Sequence, residues 1–179
     1  MATSSATDLW DVLTGEAASE SSLWGETLLP VSEQRRAPVF STLCDPAYAL
    51  GVETIYEGYL LHYGRPRLFA PADEDIALLL GDYLYAHGLV RIAATGSTTA
   101  VRDLAELISL CSQARANGSD GDWAVWAATC AVLGEDGLDD ARAALRQRGD
   151  SKLLEDAARA SADGDELDRA LDRHRRHIS

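Results

Sequence analysis

Cysteine is scarce and poorly arranged for a framework: Cys44, Cys111 and Cys130 are the three in 179 residues, odd in number, far apart and never in a CxxC pair. Neither a zinc site nor a disulfide scaffold is indicated, and a reduced cytoplasmic setting fits such usage. Lysine is almost missing; Lys152 stands alone beside fifteen arginines, a bias we read as base composition rather than function. Basic residues together are outnumbered 16 to 29, for a formal net charge of −13. Such a chain repels phosphate backbones and anionic membranes over any long range, which argues against nucleic acid as a partner. No basic start followed by an apolar run opens the sequence, and no window approaches the run of about 18 apolar residues that spans a bilayer, so a soluble protein with no membrane span is expected. The two-residue alternation of strands occurs nowhere. GxSxG, Walker and GxGxxG motifs are missing, and Ser109, Cys111 and Ser112 have no evident histidine-acid partnership.

What is present is helical. A chain of this length buries about 70% of its unfolded surface in one compact domain without a staple. Residues 1–38 are rich in Ser, Thr, Ala and Glu around two Leu-Trp islands, at Leu9-Trp10 and Leu23-Trp24. Composition predicts a disordered acidic arm there, with too little apolar surface for its own core. Two readings of the islands stay open: they fold back on the protein's own helices, placed slightly first, or Trp10 and Trp24 dock into a partner's groove.

Residues 39–179 form the expected helical domain. Asp45 and Pro46 cap a helix to about Tyr63-Gly64, with apolar positions at three- and four-residue steps. Asp73-Glu74-Asp75 opens a second helix reaching about residue 95, its apolar face expected at Ile76, Leu79, Leu80, Tyr83, Leu84 and His87. Gly81 and Gly88 inside it each cost about 1 kcal/mol relative to alanine, and the stripe they form with Ala77 predicts a close crossing with a neighbouring helix. Further helices are predicted over 98–117, 122–133, 138–147, 151–160 and 165–174. The one at 122–133 is apolar nearly all round and belongs in a bundle's middle or at a subunit interface. The whole reads as an all-α bundle of six or seven helices. The C-terminal LDRHRRHIS makes a basic tip that suits a helix C-terminus or a contact with an acidic arm.

Leu61-His62, Gly64-Arg65-Pro66, Gly81-Asp82 and Leu84 together resemble the region of trans-polyprenyl diphosphate synthases in which a metal-binding helix turns into a helix carrying Gly-Asp. Trp123–Gly134 is similar, more faintly, to a later helix of that family, so the resemblance covers about residues 45–134. It implies an isoprenoid-synthase-like fold in part. It also exposes a departure: where the family continues with aspartates after Leu61-His62, this chain reads Tyr63, Gly64, Arg65, Pro66. The single adjacent aspartate pair, Asp139-Asp140, is not completed, since Ala143 stands four residues after Asp139. Prenyl elongation needs several carboxylates to hold magnesium around a diphosphate, so no metal, no cofactor and no catalytic residue is assigned.

The resemblance implies that Arg65 and Arg67 are a possible remnant of diphosphate binding, through forked hydrogen bonds; the competing reading is a structural role at a turn. His62 and Asp82 are a possible buried polar site, because a carboxylate inside an otherwise apolar helix needs a cavity or a cation. The functional expectation is a non-catalytic prenyl-synthase-like subunit that binds and modulates a protein partner, either a catalytic prenyltransferase subunit or a second copy of itself. The alternative is a helical adaptor unrelated to isoprenoids.

Overall fold

The computed structural model describes residues 8–178, and among them the chain is all-α, with no strand beyond one isolated antiparallel bridge between Leu28 and Phe69. The described helices are α1 (Leu9–Glu20), α2 (Ser22–Glu26), α3 (Ala49–Tyr63), α4 (Glu74–Ala93), α5 (Thr98–Ala116), α6 (Asp122–Ala131), α7 (Asp139–Arg148), α8 (Lys152–Ser161) and α9 (Gly164–Ile178), with 3-10 turns at Ser41–Leu43 and Pro46–Tyr48. Helices α3 to α9 correspond to the seven that the sequence predicts; α1 and α2 are additional and lie in the supposed arm.

Side-chain caps set several starts. Asp45 accepts from the Ala47 amide at 2.8 Å, Asp73 from Ile76 at 2.9 Å and Ser97 from Ala100 at 3.1 Å. Each satisfies an amide that the first turn leaves without a helical partner. Helix α3 is the axis of the molecule: every residue from Gly51 to Leu61 is buried, enclosed by α1, α4, α9 and both 3-10 turns. Around it lie two apolar clusters. The larger joins Phe40, Tyr56, Tyr59 and Trp126 to α5, α7, α8 and α9, and the smaller joins Trp10 and Leu13 of α1 to Leu68, Phe69, Leu80 and Leu84.

The glycine stripe does what its spacing requires. A Cβ at Gly58 would lie 2.9 Å from the Gly81 carbonyl oxygen, and one at Gly88 would lie 3.0 Å from that of Gly51. Helices α3 and α4 thus meet backbone to backbone, an approach open only to residues without a side chain.

The disorder expected for residues 1–38 is corrected for residues 8–38. Asp8 caps α1, Trp10 is only 4% exposed, and Arg36 pairs with Asp11 at 2.7 Å. The Leu-Trp islands supply enough apolar surface once α3 and α4 provide a floor. The stretch after α2 is then sewn to the loop before α4 by backbone bonds Leu29–Leu68, Arg35–Arg67 and Ala70–Thr27. A second correction concerns α4. Its buried residues are Leu80, Gly81, Leu84, Gly88 and Ile92, whereas Leu79, expected inside, is 58% exposed. By length and composition α4 is also the one helix among the described residues long and apolar enough to cross a membrane, contrary to the sequence expectation.

Candidate functional site

The loop after α3 carries the two arginines singled out by the resemblance, and the structure separates them. Arg67 is completely buried, as are Glu53 and Glu57 one turn apart on α3. Its Nε donates to Glu57 at 2.9 Å, its Nη1 to Glu53 at 2.6 Å and to the Ala37 carbonyl at 3.1 Å, and its Nη2 to the Glu53 carbonyl at 3.2 Å. The carboxylates also receive the amides of Val39, Arg67 and Leu68 at 2.7–2.9 Å, and the guanidinium is flanked by the rings of Trp10 and Tyr56. Burial alone would lower the Arg67 pKa; the adjacent Glu53 and Glu57 carboxylates more than offset this and hold it above the usual arginine value. Arg67 is therefore a staple joining the N-terminal segment to α3, with four of its five guanidinium N–H groups engaged and the whole side chain shut from solvent. Arg65 is exposed, and its backbone amide donates to the His177 carbonyl at 2.8 Å. It borders an open groove of about 410 Å³ with Arg35 and Glu33.

His62 and Asp82 do meet, with Nε2 3.2 Å from Oδ1 but without an aligned hydrogen bond. The site is not buried as expected: the Asp82 side chain is 75% exposed, on the outer side of α4, while His62 is tucked against Gly81. Burial lowers the His62 pKa, against a smaller opposing pull from Asp82. Trp10 is buried beneath Arg67 and offers no surface to a partner. Trp24 is half-buried and stacks on Tyr83 with ring centroids 5.9 Å apart.

Around Asp82 lies an exposed row, of which Leu79 alone was expected inside. Leu79, Ala86, Val90 and Ala93 follow at helical spacing along α4, all exposed, with Leu78 beside them; Leu79 and Val90 are 58% and 64% exposed. A row of this kind has aliphatic ends and a single carboxylate in its middle.

The second polar cluster joins α3, α5, α6 and α9 and was not anticipated. Asp122, at the first turn of α6, accepts from the Tyr59 hydroxyl and from Arg115 Nε at 2.8 Å, and Arg115 Nη2 donates to the Tyr59 oxygen at 2.7 Å. Asp122 Oδ1 accepts the Trp123 amide at 3.0 Å. Tyr56 pairs with His174 Nδ1 at 2.9 Å, deep in a stack of Phe40, Tyr59 and Trp126. The expected basic tip is thus split, because α9 runs on to Ile178 and turns His174 and His177 inward, while Arg173 donates to the Pro38 carbonyl at 2.7 Å. Burial pushes both histidines down to about 4. Beside this cluster opens a pocket of about 330 Å³ lined by Arg115, Asp122, Trp123, Leu171, His174 and Ile178.

Burial raises the pKa of all three thiols, leaving Cys44, Cys111 and Cys130 as packing groups rather than nucleophiles. Among the described residues no group of three or more His, Cys, Asp and Glu is placed to hold a metal ion. Comparisons of the chain with protein-family models, with curated proteins and with solved structures gave no match.

Proposed function

We propose that the chain is a non-catalytic helical subunit that binds a protein partner through the outer row of α4, and that a catalytic prenyltransferase subunit is the partner to try first. The observation that carries the binding part is the row itself: Leu78, Leu79, Ala86, Val90 and Ala93 lie uncovered on one long helix around the single carboxylate of Asp82, and exposed apolar side chains grouped on one face, with polar groups among them, mark interaction surfaces. The choice of partner rests on the sequence resemblance around Leu61-His62 and Gly81-Asp82. Support for a non-catalytic role comes from how the interior carboxylates are used. Glu53 and Glu57 are taken by Arg67, Asp103 by Arg142 at 3.0 Å, and Asp122 by Arg115 and Tyr59; none is left to gather magnesium around a diphosphate.

The test has two arms. The isolated chain, given an allylic diphosphate, isopentenyl diphosphate and magnesium, forms no elongated product. Co-purified from its own cells, it brings down a prenyltransferase, and a Leu79→Glu, Val90→Glu variant with an unchanged melting temperature loses that partner by about a hundredfold in affinity, since each buried aliphatic side chain is worth about 1.5–3 kcal/mol. Product from the chain alone overturns the non-catalytic reading; a complex indifferent to the double variant overturns the surface.

A further inference from the structure

The loop after α2 and the loop before α4 enclose the groove of about 410 Å³, and none of its lining belongs to the outer row of α4. Arg35 comes from the first loop and Arg65 from the second, and the two loops are joined where the Arg35 amide donates to the Arg67 carbonyl at 3.0 Å. Both side chains are exposed. Their neighbours have acids to meet, Arg36 in Asp11 and Arg67 in Glu53 and Glu57. Among the described residues, the side chains of Arg35 and Arg65 have no hydrogen bond and no ion pair. One exposed carboxylate, Glu33, shares the lining and pairs with neither. Two cations against one anion leave a positive charge unmatched, in a chain whose formal net charge is −13. The adjacent His177 registers that charge: burial first, then Arg67 and to a smaller degree Arg35, push it down to about 4.

The groove does not stop at the arginines. Leu29 and Pro66 also line an adjoining open trough of about 550 Å³, together with Ala70, Pro71 and Ala77. Each volume falls in the range of ligand sites, roughly 300–1,000 Å³, and two open grooves sharing a wall suit an extended chain better than a compact molecule. The walls are stiff. Pro66 and Pro71 fix their own φ, the Arg65 amide is tied to His177 at 2.8 Å, and the Leu29 amide to Leu68 at 2.9 Å. An occupant therefore meets a preformed surface and spends little on ordering it.

Charge sets the order of side chains along such an occupant. Arg35 and Arg65 stand in one lining, aliphatic and proline side chains continue into the other, and the exposed Asp73 and Glu74 belong to that second lining. Asp73 already gives one oxygen to the Ile76 amide at 2.9 Å, which leaves Glu74 as the freer of the two. An acidic side chain meets the arginines in forked hydrogen bonds, and a basic one suits the far end. A compact dianion such as diphosphate would face Glu33 at close quarters and leave the trough bare.

We propose that this double groove docks an extended segment of a partner protein that reads acidic, then aliphatic, then basic, with its acid on Arg35 and Arg65 and its aliphatic side chains on Leu29, Pro66, Ala70 and Pro71.

The probe is the peptide acetyl-Glu-Glu-Leu-Pro-Leu-Ala-Arg-amide, titrated into the full chain by calorimetry and followed in amide NMR spectra. It is expected to saturate and to move the amide resonances of Leu29, Ala70 and Ala77. A peptide with Gln for both Glu, a peptide with Ser for both Leu, and inorganic pyrophosphate are each expected to bind at least tenfold more weakly. Arg35→Gln with Arg65→Gln weakens the probe by the same factor while the melting temperature holds, since neither side chain has a partner to lose. Ala70→Gln, at an exposed position on the apolar floor, weakens it as well. No saturation, equal affinity for either control peptide, pyrophosphate bound as tightly as the probe, resonance changes that spare this groove, or binding that survives both variants overturns the proposal.

Discussion

Two buried charge clusters in one small protein have opposite characters. At the Arg67 cluster three ionisable side chains are wholly shut from solvent, and donors and acceptors close on each other and on the backbone of Ala37, Val39 and Leu68. At the His174 cluster the carboxylate is saturated, yet a ring nitrogen, itself closed to solvent, is left unpaired. The first arrangement is closed and can only hold the chain together. The second leaves one polar group over. Burial of a charge says little about function until its partners have been counted.

The sharpest way to break this comparison is to remove Arg67. Arg67→Met leaves Glu53 and Glu57 facing each other without a cation, and a loss of about 3–5 kcal/mol is expected in urea unfolding; a loss under about 1 kcal/mol would put the staple elsewhere. The His174 cluster makes a different prediction, in pH. His174 titrates near 4 when folded and near 6.5 when unfolded, so between those values the unfolded chain binds more protons and stability falls as pH falls. Stability is intact above about 6.5, and about 3 kcal/mol from this residue has been lost below about 4. His177, also depressed by burial to about 4, moves the same way. Denaturant midpoints measured from pH 7 to 4 should show this slope, and His174→Phe should flatten it; an unchanged slope removes His174 as its source. The smallest effect is reserved for the third charged group. Asp82→Ala should change stability by no more than about 0.5 kcal/mol, since the carboxylate is mostly exposed. A larger loss would mean that its pairing with His62 matters more than its exposure suggests.

Much of the scaffold was readable because local signals agreed. Asp45, Asp73 and Ser97 stand where a helix start needs an acceptor, and the glycines of α4 had no economical explanation except a close crossing. Arg67 was harder. In GRPR it looks like any turn arginine, but Glu53 and Glu57 sit one turn apart in the otherwise apolar run Ala49–Tyr63, and a pair of acids on a helix buried all round requires a cation from somewhere. That signal is present in the sequence, whereas Asp82 is an acid on a helix that is buried along one side alone. Composition points the arm toward disorder, whereas its Leu-Trp islands point toward folding back on the helices, and Trp10 finds its place only against groups that come much later in the chain. Tyr59, Arg115, Asp122 and His174 are scattered over more than a hundred positions with no spacing to join them. Only the three-dimensional packing of α3, α5, α6 and α9 makes them neighbours.

The backbone-to-backbone seating of α4 on α3 has a thermodynamic corollary for whatever meets its outer row. Glycines leave no cushion of side chains between the two helices, so α4 cannot slide or tilt to suit a newcomer without forcing peptide groups into each other. The row of Leu79, Ala86 and Val90 is thus offered in a preorganised form, and association need not spend free energy on ordering that helix. The same stiffness makes the surface selective: a counterpart must match its shape as it stands.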